Sequence, residues 1–265
     1  MQIGVFVNAR VGSKRLPNKH LKVIRDIPLL HILLTRLISR LDEFSYNSNL
    51  TLLLTTGNQA ENQILGQIAS EVGLNTFFGS NDNIPYRHLQ ALKFYNFDAV
   101  VSIDADDIIP SIEALHETVA ALVSGKPLVK TLNLPIGMNV HGYSKAILEK
   151  ALKGIEKEQI ETGWMHIFDS CGIHQISYAD FSKFNIIRAT LDYKDDFKFF
   201  ERVLTEIHNW DELSTLSLCE EIISRKIYLE NSYLNEEYWE YHKARERERN
   251  HEVKYAEAPI ITPAA

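Results

Sequence analysis

The sequence predicts an α/β protein with a mostly parallel sheet. Two observations lead there. Short, uninterrupted apolar runs, the mark of strands buried on both faces, recur along the first half of the chain. Between them lie stretches whose apolar residues repeat at helical spacing. Strand and helix in this alternation imply right-handed crossovers between parallel strands. In such sheets ligands bind beyond the carboxyl ends of the strands. The loops that follow the apolar runs are therefore where chemistry is to be sought.

Ile3-Gly4-Val5-Phe6-Val7 is the first such run, and a polar loop from Asn8 to Lys19 follows it. Residues 28–41 carry leucines at helical spacing (Leu29, Leu30, Leu33, Leu34, Leu37) and predict a helix. Residues 50–56 form a second strand. Residues 61–72 form a helix, with Gly73 as its C-terminal stop. Thr76-Phe77-Phe78-Gly79 is a short third strand, residues 84–94 a helix, and Ala99-Val100-Val101-Ser102-Ile103 a fourth strand. A helix over 112–123 is closed by Ser124-Gly125.

The middle is less regular. Strand-like pieces at 128–132 and 173–178 flank a helix at 144–153, and the whole of about 130–187 reads as an insertion. Residues 188–191 return to strand character, and 195–207 form a strong helix whose Phe197, Phe199 and Phe200 face the core. The domain expected is 1–210, followed by a helical, charged extension over 211–265. The charge run at 236–252 reads as a solvated helix face or a frayed end. Ile136, Met138, Val140, Trp164, Met165, Ile167 and Phe168 are more apolar side chains than a small insertion can bury. They predict an exposed patch and, through it, a homodimer.

Composition excludes several classes. The chain has 265 residues, 45% of them hydrophobic and 24% charged, which suits a soluble domain able to bury a full core. A net charge of −7 argues against a protein that coats nucleic acid. No apolar stretch approaches the ~18 residues of a membrane span, and the short run at 3–7 is no signal-peptide core. Cys171 and Cys219 make neither a disulfide framework nor a zinc site. They are expected as reduced thiols in a cytoplasmic protein.

Three loops carry the candidate chemistry. The first, Asn8 to Lys19, concentrates Arg10, Lys14, Arg15 and Lys19 around Gly12 and Ser13. The glycine lets backbone N–H groups approach an anion, arginine offers phosphate a planar fork, and lysine a point charge. It lacks the spacing of a Walker A loop. The second, Asp104-Ala105-Asp106-Asp107, ends the fourth strand. Its carboxylates suit Mg2+ shared with substrate phosphates, and equally suit a turn before the next helix. The third, Leu191-Asp192-Tyr193-Lys194-Asp195-Asp196, carries an Asp that could complete a metal site. His141 and His166 read as satisfied or surface histidines, and Cys171 as inert.

Ala9-Arg10-Val11-Gly12-Ser13-Lys14-Arg15-Leu16-Pro17-Asn18-Lys19 resembles the A-R-x-G-S-x-R-L-P-x-K signature of the sugar cytidylyltransferases. That family includes the synthetases of CMP-sialic acid and CMP-Kdo and the spore-coat polysaccharide protein F group. Phe78 to Asn83 resembles its R-G-S-x-D-D segment, and Arg87 with Gln90-Ala91 its D-R-Y-x-Q-A helix. Val100 to Asp106 is similar to its V-V-R-L-T-G-D strand, Pro135 to Val140 to P-x-G-L-D-V, and Arg188 to Asp196 to R-W-T-V-D-T-P-E-D. The segments stand in the same order over residues 1–210. Gly57 stands where the family has Asp, Asn139 where it has Asp, His141 where it often has Glu, and Tyr86 where it has Asp. The last three positions are expected on the acceptor side.

The resemblance implies a Rossmann-like nucleotidyltransferase domain with an inserted dimerisation segment. The implied reaction transfers CMP from CTP to a sugar acid or related acceptor and releases pyrophosphate, in surface glycan synthesis. It implies that Ala9, Arg10, Gly12, Ser13, Arg15, Lys19, Thr56 and Arg87 bind the nucleotide, and that Asp106 and Asp192 hold Mg2+. Arg10, Lys19 and Asp104 are the catalytic candidates, with Asp104 as the general base. Two carboxylates more than about 8 Å apart could not share one ion whose ligands lie near 2.1 Å. The alternative is a metal-dependent glycosyltransferase using a nucleotide-sugar donor, whose Asp-x-Asp would be Asp104-Ala105-Asp106. The basic loop suits a triphosphate with a departing pyrophosphate better.

Overall fold

The computed structural model describes residues 1–41, 49–160, 163–236 and 238–240. Its centre is β1 (Gln2–Asn8), whose Ile3, Val5, Phe6 and Val7 are wholly buried. After the basic loop come a small hairpin, β2 (Val23–Ile24) with β3 (Ile27–Pro28), and α1 (Leu29–Leu41). Then follow β4 (Asn49–Gly57), α2 (Gln63–Glu71), β5 (Thr76–Gly79), α3 (Ile84–Phe94), β6 (Ala99–Asp104) and α4 (Ile112–Val123). The second half holds β7 (Leu128–Leu132), β8 (His141–Ser144), α5 (Lys145–Leu152), β9 (His174–Ser177), α6 (Lys194–Glu206) and α7 (Thr215–Ser224).

One seven-stranded sheet runs β5-β4-β1-β6-β8-β7-β9. β8 is antiparallel to both its neighbours, and every other pairing is parallel. The order departs from β1 in both directions, so β1 and its neighbours flank the switch point where such sheets bind ligands. Side chains alternate along β1 between two core layers. Ile3, Val5 and Val7 join the helices α1, α2, α4, α6 and α7, while Phe6 joins α3 and α5. Helices therefore cover both faces, as a parallel sheet requires.

Start signals fix the helices that frame the site. The Asn83 side chain accepts the Tyr86 N–H at 2.8 Å with Pro85 in the first turn of α3, and Ser111 accepts the Ala114 N–H at 3.1 Å for α4. These elements match the sequence expectations closely.

Two expectations need correction, the strand at 188–191 and the exposed patch. Residues 188–191 do not form a strand. Arg188 makes one bridge to Ile136, and Leu191 donates its N–H to the Asp106 carbonyl at 2.9 Å. The chain there is pinned locally, not by a ladder. Within the stretch expected as an insertion, about 130–187, β8 and β9 join the main sheet beside β7. The apolar residues expected as an exposed patch are largely internal: Met138, Val140, Trp164 and Phe168 are buried, and Ile136, Met165 and Ile167 are half-buried. The sheet and α5 give them a core, so the argument from an unburied patch to a dimer loses its premise.

The extension expected over 211–265 begins inside the same core, where Leu218, Cys219 and Ile222 of α7 are buried in the layer that α1 and α6 also join. Phe199 and Phe200 are buried as expected, whereas Phe197 is half-buried beneath Lys22. The charge run at 236–252 lies outside the described residues beyond residue 240. No helix among the described residues is long and apolar enough to cross a membrane.

Candidate active site

Parallel register brings three polar residues level at the carboxyl edge. Asn8 of β1 pairs with Thr55 of β4 on one side and Asp104 of β6 on the other. The basic loop begins there. Gly12 takes φ +96°, a conformation open to glycine, and the Ser13 hydroxyl accepts the Leu16 N–H at 3.3 Å. Asn62, fully buried, accepts the Val11 N–H at 2.8 Å and donates to the Gly57 carbonyl at 3.2 Å. It clamps the loop to the end of β4.

The turn after this loop carries Lys19 inward, where it is only 7% exposed. Its ammonium meets Asp106 in a short contact and Asp192 Oδ1 at 3.1 Å. Two carboxylates on one nitrogen lie within two hydrogen-bond lengths of each other, inside the limit of about 8 Å set for a shared ion. Arg15 reaches the same Asp192 oxygen at 2.7 Å, and Arg188 approaches the other at 3.5 Å. Burial opposes ionisation of Asp192, but Lys19, Arg15 and Arg188 outweigh it and hold its carboxyl below the usual range. Burial opposes the Lys19 charge in turn, and Asp106 and Asp192 outweigh that and raise its pKa. His20 Nε2 lies 3.4 Å from Asp106 Oδ1, and burial lowers the imidazole to about 4, so it is neutral at pH 7.

Asp104 is exposed yet surrounded by protein, the situation of a group on the floor of a cleft. Loss of solvation, followed by the neighbouring Asp106 charge, pushes it up to about 6. Below it runs a buried hydrogen-bond chain. Asn8 Nδ2 donates to Asp104 Oδ1 at 3.1 Å and to Ser102 Oγ at 2.9 Å. Asn8 Oδ1 accepts from Thr55 Oγ1 at 2.8 Å and from His88 Nε2, whose Nδ1 accepts from the Tyr143 hydroxyl. An amide oxygen only accepts, so His88 carries its proton on Nε2.

The remaining residues expected at the site divide. Ala9 is buried beneath the loop, and Arg10 is exposed at its start, near enough to act electrostatically on His20. Arg87 is 2% exposed, donates to the Ser80 carbonyl at 2.9 Å and lies within electrostatic reach of Asp104. Thr56 is fully buried, and its hydroxyl has no hydrogen-bond partner among the described residues. Gly57, where the resembling family has Asp, leaves room for Asn81, whose amide oxygen a Cβ would meet at 2.2 Å. Asn139 does not face the cleft chemistry, since its amide donates to the Leu134 carbonyl at 3.0 Å within its own loop. His141 pairs with Ser102 in the sheet, and His166 bonds the Gly163 carbonyl at 2.9 Å. Tyr86 packs into the α3–α5 layer.

Sequence reasoning missed Asn8, His20, Asn62, His88 and Tyr143, single polar residues without a spacing pattern. A weak signal existed for Asn8: it is the first polar residue after an all-apolar strand. Sequence reasoning also missed the reason for Gly137. At φ +85° it sits against the Ala189 backbone, which a Cβ would meet at 2.1 Å, and so lets the Ile136 loop pin the segment leading to Asp192.

Known proteins resemble this chain along most of its length. An uncharacterised protein of Methanocaldococcus jannaschii is 32% identical over 207 residues, covering 76% of this chain and 82% of that one. Spore coat polysaccharide biosynthesis protein SpsF of Bacillus subtilis is 23% identical over 199 residues, covering 73% and 82%. A cytidylyltransferase structure from Leptospira borgpetersenii superposes with TM-score 0.74 at 22% identity, covering 87% of this chain and 98% of that one. A CMP:2-keto-3-deoxy-manno-octonic acid synthetase complexed with CTP superposes with TM-score 0.57 at 12% identity, covering 78% and 99%. The sequence profile described as cytidylyltransferase matches residues 5–170, more than half of the chain, and the protein belongs to that family.

Proposed function

We propose that the protein transfers CMP from CTP to a sugar acid or related hydroxyl-bearing acceptor, releasing pyrophosphate, in the synthesis of a surface glycan. The observation that carries this reading is the meeting of Lys19, Arg15, Asp106 and Asp192 beside the Gly12 loop at the switch point. The acceptor oxygen attacks the α-phosphorus of CTP. The new O–P bond forms as the bridging α–β P–O bond breaks, and pyrophosphate departs. Arg10, Arg15 and Lys19 neutralise the charge that collects on the leaving group. Asp104, open to the cleft and held by Asn8, takes the acceptor proton and passes it to solvent.

The donor set also fits Mg2+. Asp106 and Asp192 are hard oxygen ligands that already converge on a cation, the Lys19 ammonium. No group of three or more His, Cys, Asp or Glu suited to a metal exists among the described residues. Two carboxylates completed by phosphate oxygens and water are what Mg2+ takes in phosphoryl sites. When bound, the ion would supply charge neutralisation at the phosphates.

The test is pyrophosphate release from CTP and Mg2+ with individual sugar acids, including 3-deoxy-manno-octulosonate and N-acetylneuraminate, against UTP, ATP and GTP. Acceptor-dependent release from CTP alone supports the reading. Turnover of a nucleotide-sugar donor, with no release from CTP, would favour the glycosyltransferase instead.

A further inference from the structure

Asp192 sits on a segment that the sheet does not hold, since Arg188 makes one bridge and residues 189–193 belong to no strand. A carboxylate that must meet Asp106 over one cation needs its backbone fixed by other means. The brace comes from the C-terminal extension. Asn231 follows a single helical turn (Ile227–Glu230) and is fully buried. Its Nδ2 donates to the Arg188 carbonyl at 2.9 Å and to Asp196 Oδ1 at 2.8 Å.

Asp196, itself wholly buried, is the hub. It accepts from Arg188 Nε at 2.9 Å and from the Asp192 and Tyr193 N–H groups at 2.8 and 2.9 Å. Asn231 thus reaches Asp192 by two routes, through the Asp196 carboxylate to the Asp192 backbone and through Arg188 to the Asp192 side chain. Neighbouring residues of the extension follow the same segment. Tyr233 bonds Asp195, Asn235 donates to the Ile186 carbonyl at 3.1 Å, and the Tyr238 ring lies 5.2 Å from the Arg188 guanidinium carbon.

We infer that Asn231 is a positioning residue for Asp192, so that the C-terminal extension is part of the site and not an appendage. The inference rests on the reading of Asp192 as a ligand of the metal–nucleotide complex. Groups that orient metal ligands from behind typically change metal affinity 10–100-fold when removed.

The experiment titrates Mn2+ into the full-length protein with CTP present and follows the free-ion EPR signal. Asn231→Ala and the same-shaped Asn231→Asp should weaken Mn2+ binding at least tenfold. CTP affinity without metal, which the loop at 10–19 governs, should stay within about twofold. Asn235→Ala, which bonds the Ile186 carbonyl and neither Arg188 nor Asp196, should leave Mn2+ binding unchanged. Wild-type affinity in both Asn231 variants, or equal damage from Asn235→Ala, overturns the inference. If neither Asn231 variant folds, Tyr238→Ala, at a half-exposed position, replaces them, with at least threefold weakening expected and no change contradicting the brace. If wild-type protein fails to bind Mn2+ with CTP, the metal reading falls. Hydrogen exchange at the Asp192 and Tyr193 amides then decides the positioning claim: tenfold faster exchange in Asn231→Ala upholds it, and unchanged exchange refutes it.

Discussion

Two polar regions flank the end of β6, and they are built on opposite plans. On one side Asp104 rests on Asn8, Ser102, Thr55, His88 and Tyr143, a neutral chain buried between the sheet and α3 and joined by hydrogen bonds. On the other, Asp106 and Asp192 face Lys19, Arg15 and Arg188, a charged cluster open to the cleft at Asp106 and Arg15. Asp104 aside, the chain satisfies the Asn8 side chain with neutral partners, which suits a scaffold. The charged cluster balances carboxylates against cations that can exchange one another for phosphate and metal, which suits a ligand site. The difference teaches that burial alone does not mark function here. The test is whether a group's present partner could be replaced by substrate.

The comparison breaks first at the charged cluster. Asp106→Asn and Asp192→Asn should each lower turnover about a thousandfold or more, with the double variant little worse than either single one. Steady-state pyrophosphate release checks this, and additive losses would mean that the two carboxylates act separately. Next comes the neutral chain. Asn8→Ala strips partners from His88, Thr55 and Asp104 together, and should cost about 3 kcal/mol of stability in urea denaturation. A loss of activity without a loss of stability would place Asn8 in the chemistry rather than the scaffold.

Arg15→Ala comes third. A charge-assisted hydrogen bond is worth roughly 1.5–3 kcal/mol, so CTP should bind about 10–100-fold more weakly by calorimetry. The melting temperature should stay near that of the wild type, because nearly half the Arg15 side chain is exposed.

The smallest effect sharpens the contrast through pH. Burial, reinforced by Arg87, holds His88 well below its ordinary value. Its contribution to stability is therefore present above about pH 6.5 and is lost as pH falls, by up to ~1.4 kcal/mol per pH unit. His88→Gln should flatten the pH dependence of urea stability between pH 6.5 and 5 by about one proton. An unchanged slope would mean that the imidazole is not the group that resists acid.

How much of this the sequence carried follows the same division. The charged cluster was legible because cations and carboxylates stood at the ends of apolar runs, where a parallel sheet gathers its loops. The first four strands of the sheet and the helices between them were legible for the same periodic reasons. β8 was not, because His141-Gly142-Tyr143-Ser144 is short, polar and antiparallel, and Gly142 is there to let Thr118 and Leu122 of α4 pack closely. Residues 188–191 look like a strand but are held by one bridge and by side chains distant in sequence. The neutral chain and Asn231 left no pattern, since each is a single polar residue whose partners are brought together only by the folded register.

The cluster of Lys19, Arg15, Asp106 and Asp192 is the proposed seat of a cytidine triphosphate with its metal. Calorimetric titration of CTP into wild-type protein and Asp192→Asn, each with and without Mg2+, tests it most directly. Mg2+ should tighten CTP binding to the wild type at least tenfold and leave binding to Asp192→Asn nearly unchanged. Equal Mg2+ dependence in the two proteins, or no binding of CTP to either, would contradict it.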